Sequence, residues 1–174
     1  MKKLFVMMFL LTITINAQEK RLIRNPIRNI PKWIRNEFTK QHLEDRYSVA
    51  YDLYPYYLKA DFNGDGRLDV AIQVVEKKTG KSGIAIFHGK RTQSLLTQVS
   101  ILGTGNTLGH AGDNFSWANI WSVAKERYIS NDETDKTFPK LEADAITIGK
   151  RDSLSGLIYW SGNKYLWHQP KKHP

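Results

Sequence analysis

Asp61-Phe62-Asn63-Gly64-Asp65-Gly66-Arg67-Leu68-Asp69-Val70-Ala71-Ile72-Gln73-Val74-Val75 carries two signals in one stretch. Its first nine residues set oxygen side chains at alternate positions, put glycine at the bend and close on an acid. Calcium takes six to eight oxygens, and a loop offering side chains at positions 1, 3, 5 and 9 with a backbone carbonyl at 7 supplies most of them. Asp61, Asn63, Asp65 and Asp69 are therefore candidate side-chain ligands, and Arg67 a candidate backbone ligand. Gly66 falls where the chain must turn sharply without a Cβ clash. From Leu68 onward the chain is rich in β-branched residues, and Leu68, Val70, Ile72 and Val74 alternate with Asp69, Ala71, Gln73 and Val75, which reads as a strand. The twelfth position is Ile72, where a helical calcium hand needs Glu. The cation loop thus opens a β-strand. Without an ion the same residues form an Asp/Asn/Gly turn.

The segment Ala60 to Ile72 resembles the calcium loop of FG-GAP or VCBS-type repeats. In that family the loop lies between strands of a propeller blade and binds calcium. The resemblance implies Asp61, Asn63, Asp65 and Asp69 as side-chain ligands and Arg67 as a backbone ligand, with calcium as cofactor. It covers roughly residues 58 to 89. The Phe-Gly and Gly-Ala-Pro signatures of the family are absent, Phe87-His88-Gly89 being the nearest echo. The chain carries one copy of the loop, whereas a propeller needs about four to eight blades. The loop carries over, and the propeller does not.

At the N-terminus, Lys2-Lys3 precede an apolar run from Leu4 to Ile15, followed by Asn16-Ala17. A basic start, a short apolar core and a small residue at its end predict a secretory signal over residues 1–17. The run is too short for a membrane span. The expected location is periplasmic or secreted, and the remainder has the length of one domain. The chain has no cysteine, so an exported domain must rely on its core, helped by an ion. The formal charge is +9 and falls by two when Lys2 and Lys3 leave. This balance favours an acidic protein or an anionic polysaccharide as partner, or serves solubility alone. The export signal argues against nucleic acid.

Residues 18–29 are basic. Ile30, Ile34 and Phe38 recur at helical spacing, and Pro31 suits a first turn, so a helix is expected from about Pro31 to Glu44 with Trp33, Ile34, Phe38 and Gln41 facing a sheet. Tyr47 to Lys59 reads as an aromatic strand that Pro55 breaks. Strands are expected from Leu68 to Glu76, Ser82 to His88, Leu95 to Leu102, Leu141 to Gly149, Gly156 to Ser161 and Lys164 to Gln169. Ser161-Gly162-Asn163 forms a hairpin turn. Residues 103–114 are glycine-rich and read as a long surface loop. The period of Phe115 to Trp121 suits a helix or a strand equally. The acidic run Asp132 to Asp135 is expected to be exposed, and residues 170–174 to be a disordered tail.

Two segments repeat weakly. Ala71-Ile72-Gln73-Val74 parallels Ala145-Ile146-Thr147-Ile148, and Ser82 to Gly89 parallels Ser155 to Gly162. Two hairpins of one design in one sheet system are expected. The fold class is therefore α+β and mostly antiparallel β, with one N-terminal helix packed on a hairpin-built sheet over residues 30–169.

Zinc, nucleophile-elbow and cysteine-nucleophile motifs are missing, and the five histidines lack ligand spacing. The leading function is an exported, calcium-binding, non-catalytic module with a binding or structural role. Two alternatives stay open. Ser155 to Trp167 is similar to the Ser-Gly-x-x-Tyr segment of periplasmic C-type lysozyme inhibitors, which implies Ser155 and Lys164 as residues entering the lysozyme cleft. Those inhibitors usually carry cysteines and lack this helix. Paired acids distant in sequence would make a carbohydrate-active enzyme, and an exposed tryptophan platform a sugar-binding protein.

Overall fold

The computed structural model describes residues 26–90, 97–125, 139–151 and 155–169. The expected signal, the basic segment up to residue 25, the acidic run and the tail lie outside these residues. A 3-10 turn (Pro26–Asn29) leads into α1 (Lys32–Lys40) and a short α2 (Leu43–Arg46). Nine strands follow: β1 (Tyr47–Val49), β2 (Tyr57–Ala60), β3 (Asp69–Glu76), β4 (Ser82–Phe87), β5 (Val99–Gly103), β6 (Ile120–Ala124), β7 (Ala145–Gly149), β8 (Gly156–Trp160) and β9 (Tyr165–His168). The first sheet runs β1-β3-β4-β5, with β2 also paired to β3. The second runs β6-β7-β8-β9. All pairings are antiparallel. The α+β, mostly antiparallel class read from the sequence is the observed one.

The side-chain period decides the layering. On β3 and β4, Val70, Ile72, Val74, Ala85 and Phe87 meet Ile30, Ile34 and Phe38 of the helical segment. The opposite parity, Ala71, Ile84 and Ile86, joins Phe62, Phe115, Trp121, Ile146, Ile148 and Ile158 between the two sheets. The order is helix, five-stranded sheet, four-stranded sheet. With both faces covered, β3 and β4 are buried almost throughout, and so β3 lacks the half-exposed alternation expected of it.

The helix is shorter than expected. His42 takes a left-handed conformation at φ 54° and separates α1 from α2. The Gln41 side chain faces inward there, donating to Thr97 O at 2.8 Å and to Glu37 at 3.1 Å. Glu37 is buried and also accepts from Lys90 Nζ and the Thr97 amide. Burial raises its pKa, but the bonds from Lys90, Gln41 and Thr97 outweigh that and hold the carboxyl below its ordinary range. Trp33 is 37% exposed and meets Phe87 in a T-shaped contact at 6.5 Å.

The repeated hairpins go to different sheets, one as β3–β4 and the other as β7–β8. The segment from Thr104 to Asn119, including a 3-10 turn at Gly109–Ala111, carries the chain from one sheet to the other, and this crossing separates the two halves of the repeat. Each hairpin keeps its Ser-Gly start for a packing reason. A Cβ on Gly83 would overlap the Leu102 carbonyl and lie 2.7 Å from Thr104 Cγ2, and one on Gly156 would overlap the Trp167 ring. At Gly83 the obstacle is backbone, which has little room to yield. Gly83→Ala is therefore expected to cost about 2–3 kcal/mol, read as a fall in Tm of about 4–12 °C. An unchanged Tm would show that β5 can shift freely.

Candidate functional site

Residues 61–68 are the connection of a β2–β3 hairpin whose last pair is Ala60 opposite Asp69. Phe62 points into the core between the sheets and pins the loop at its base. The rest of the loop is a set of side-chain-capped turns. Asp61 Oδ1 accepts from the amides of Gly64 and Asp65 at 2.7 and 3.1 Å, and its Oδ2 from Gly66 at 2.7 Å. Asn63 Oδ1 accepts from the Asp65 amide at 3.2 Å, and Asp65 Oδ1 from the Arg67 amide at 2.9 Å. Gly64 and Gly66 sit at φ 73° and 80°, so Gly66 does hold the conformation that a side chain resists. Leu68, read as the start of the strand, is 55% exposed and lies just before it.

The expected ligands fall into two groups. Asp61, Asn63 and Asp65 lie on the accessible part of the loop, where the Arg67 guanidinium pairs with Asp65 Oδ2 at 3.0 Å. Asp69 lies beneath, fully buried. Its Oδ2 accepts from the Phe62 amide at 2.9 Å and its Oδ1 from the Gly89 amide at 2.8 Å. It thus ties the loop to the end of β4. Among the described residues no three Asp, Glu or His side chains converge at metal-ligand spacing. A cation here would draw on Asn63 and the Arg67 carbonyl beside the carboxylates. The donors are all oxygens, and a carboxylate offers about four lone-pair sites. Asp61 uses three of these for amides, and Asp65 uses two. These are the donor atoms that a hard cation takes.

The loop also meets the second sheet. The Asp61 carbonyl accepts from the Asp144 amide at 2.9 Å. A Cβ on Gly64 would come 2.9 Å from the Glu142 carbonyl, so this glycine gives the loop its close seat on the segment before β7. Beneath it lies a polar row that sequence reading missed. Asp69, His88 and Ser100 share the inter-sheet face of three adjacent strands. His88 Nδ1 is 3.4 Å from Asp69 Oδ2, off the line of a hydrogen bond, and Nε2 is 3.0 Å from Ser100 Oγ. The His88 ring stacks on Tyr165 at 6.1 Å and 11°, and Trp160 stands 6.4 Å away. Buried under these rings, the row acts as a structural network. The signal for it was parity: His88 follows Ile84 and Ile86 inward. The Tyr165 hydroxyl is buried without a partner. Burial, then the charges of Asp69, Asp61 and Asp65, push its pKa well above the ordinary phenol range.

The tryptophans are mainly packing residues. Trp121 is buried, while Trp117, Trp160 and Trp167 are half-buried against the same core. Ser155 packs on Gly149 at the start of β8, and Lys164 lies in the turn beyond its end. The structure does not bring these two together; a five-residue strand of roughly 17 Å separates them. No helix among the described residues is long and apolar enough to cross a membrane. Comparison with family models, curated proteins and solved structures finds no match to this chain.

Proposed function

We propose that this protein is an exported calcium-binding β-rich module with a binding or structural role rather than a catalytic one. The observation that carries the reading is the position of the loop. Residues 61–69 belong to the first sheet, yet the loop is hydrogen-bonded to Asp144 and seated on Glu142 at the entrance to β7. An ion held by Asp61, Asn63, Asp65 and the Arg67 carbonyl, and by Asp69 if its buried carboxylate takes the ion besides its two amides, would offset the mutual repulsion of the carboxylates and fasten the loop where the two sheets meet. The apolar run from Leu4 to Ile15 behind Lys2-Lys3 supports export, and the net positive charge, +9 for the full sequence and two less once Lys2 and Lys3 leave, favours an acidic partner.

Thermal melts with calcium and with chelator test this. Extracellular modules bind with dissociation constants of roughly 0.1–1 mM. Calcium at tenfold excess then stabilises by about 1.4 kcal/mol, a rise in Tm of about 3–6 °C. Asp65→Ala is expected to remove the calcium response and leave a folded protein, because Asp65 is exposed and bonds only within the loop. Identical melts in calcium and chelator, with no heat in a calcium titration, would refute the reading.

A further inference from the structure

The strand that flanks β3 is interrupted. Val49 lies opposite Val74 and Tyr57 opposite Ile72, so residues 50–56 leave the sheet across a single partner position, Gln73. That residue is buried, and it holds the excursion in place. Its carbonyl accepts from the Ala50 amide at 3.0 Å, and its Oε1 accepts from the amides of Asp52 and Leu53 at 2.9 and 3.3 Å. Its Nε2 donates to Asp52 and to Ser82 Oγ. Leu53 is buried in the core between the sheets, and Trp121 Nε1 donates to the Pro55 carbonyl at 2.7 Å.

This rigid excursion carries three tyrosines in a ladder. Tyr51 packs edge-to-face on Tyr56, and Tyr56 on Tyr54, each pair with centroids 5.7 Å apart. Such pairs fix ring orientation beyond what burial does. The outermost ring, Tyr54, is 78% exposed. Single exposed apolar residues are ordinary on a surface. Here, however, a buried glutamine side chain and a core leucine are committed to a loop that presents one ring to solvent.

We propose that this ladder is a polysaccharide-binding platform on which Tyr54 stacks a pyranose ring. The inference rests on the binding-module reading and names its partner class. A sugar matches the size of what is offered: a single exposed aromatic ring that carries its own hydroxyl, Tyr54. A protein partner needs an apolar interface core within a buried area of roughly 800 Å² per side. Among the described residues the other large exposed apolar side chains are Trp33 on α1 and Leu68 in the 61–69 loop, on other elements. A preorganised ring also loses little entropy when it binds.

Affinity electrophoresis of the purified protein tests the proposal, in gels containing laminarin, xylan, hydroxyethyl cellulose, alginate or polygalacturonate. At least one gel should retard the parent. Tyr54→Ala should weaken that retardation by at least about tenfold with an unchanged melt, and Tyr54→Phe should keep it. The neutral and anionic gels distinguish plain pyranose stacking from stacking aided by charge. No retardation in any gel overturns the proposal, as does retardation that Tyr54→Ala leaves intact, which would report charge alone. Retardation by serum albumin that Tyr54→Ala removes, without binding to any glycan, would assign the ladder to a protein and overturn it too. Repeating the gels in chelator separates the two readings. Tyr54-dependent binding that persists in a protein with no calcium response would retire the ion and keep the platform.

Discussion

Removing residues 164–174 is expected to abolish cooperative folding. β9 pairs with β8 over four positions, from Leu157–His168 to Trp160–Tyr165. Its loss takes one of the two partners of β8 and turns β8 into a new sheet edge. Tyr165 is 7% exposed, stacked on His88 and 4.9 Å from Trp160. Trp167 packs edge-to-face on Trp117 at 6.2 Å and fills the space that Gly156 leaves open. Deleting a large buried aromatic typically costs about 3–5 kcal/mol. Loss of the buried Tyr165, of the half-buried Trp167 and of a strand's hydrogen bonds together approaches the whole stability of a domain, about 5–15 kcal/mol. The truncated protein should show no cooperative melt. A soluble truncation that melts cooperatively would make β9 an appendage.

Asp69→Ala should destabilise the protein by about 3–5 kcal/mol whether or not calcium is present. The substitution leaves the buried amide of Phe62 and the half-buried amide of Gly89 without their acceptor, each at about 1–3 kcal/mol. It also takes away the carboxylate that faces His88 Nδ1. Asp65→Ala, on the exposed turn, should cost far less. The comparison in chelator is decisive: if Asp69→Ala matches Asp65→Ala there, Asp69 serves the ion alone and the network beneath the loop contributes little.

Much of the local architecture was legible in the residues. The Asp/Asn/Gly spacing marked a turn that opens a strand. Gly66 was placed in the conformation that it adopts, and the strands β3, β4, β8 and β9 fell within a residue or so of their observed ends. These features depend on period and turn chemistry, which act over a few neighbours. The misread positions share another character. The strand was expected to start at Leu68, yet it starts one residue later, at Asp69, whose burial depends on amides from residues 62 and 89. Residues 115–121 fitted two periods, and only pairing with β7 makes Ile120 and Trp121 a strand.

By itself, then, the sequence determined the turns, the strand-forming segments, the amphipathic helix and the oxygen-rich loop, because each is set by side chains close together along the chain. Only the tertiary structure decided that the two similar hairpins lie in opposite sheets, that β3 is covered on both faces, and that the most exposed large aromatic among the described residues is Tyr54. Those outcomes depend on which apolar faces meet across the core and on one buried glutamine side chain satisfying amides some twenty residues away, and no local period records either.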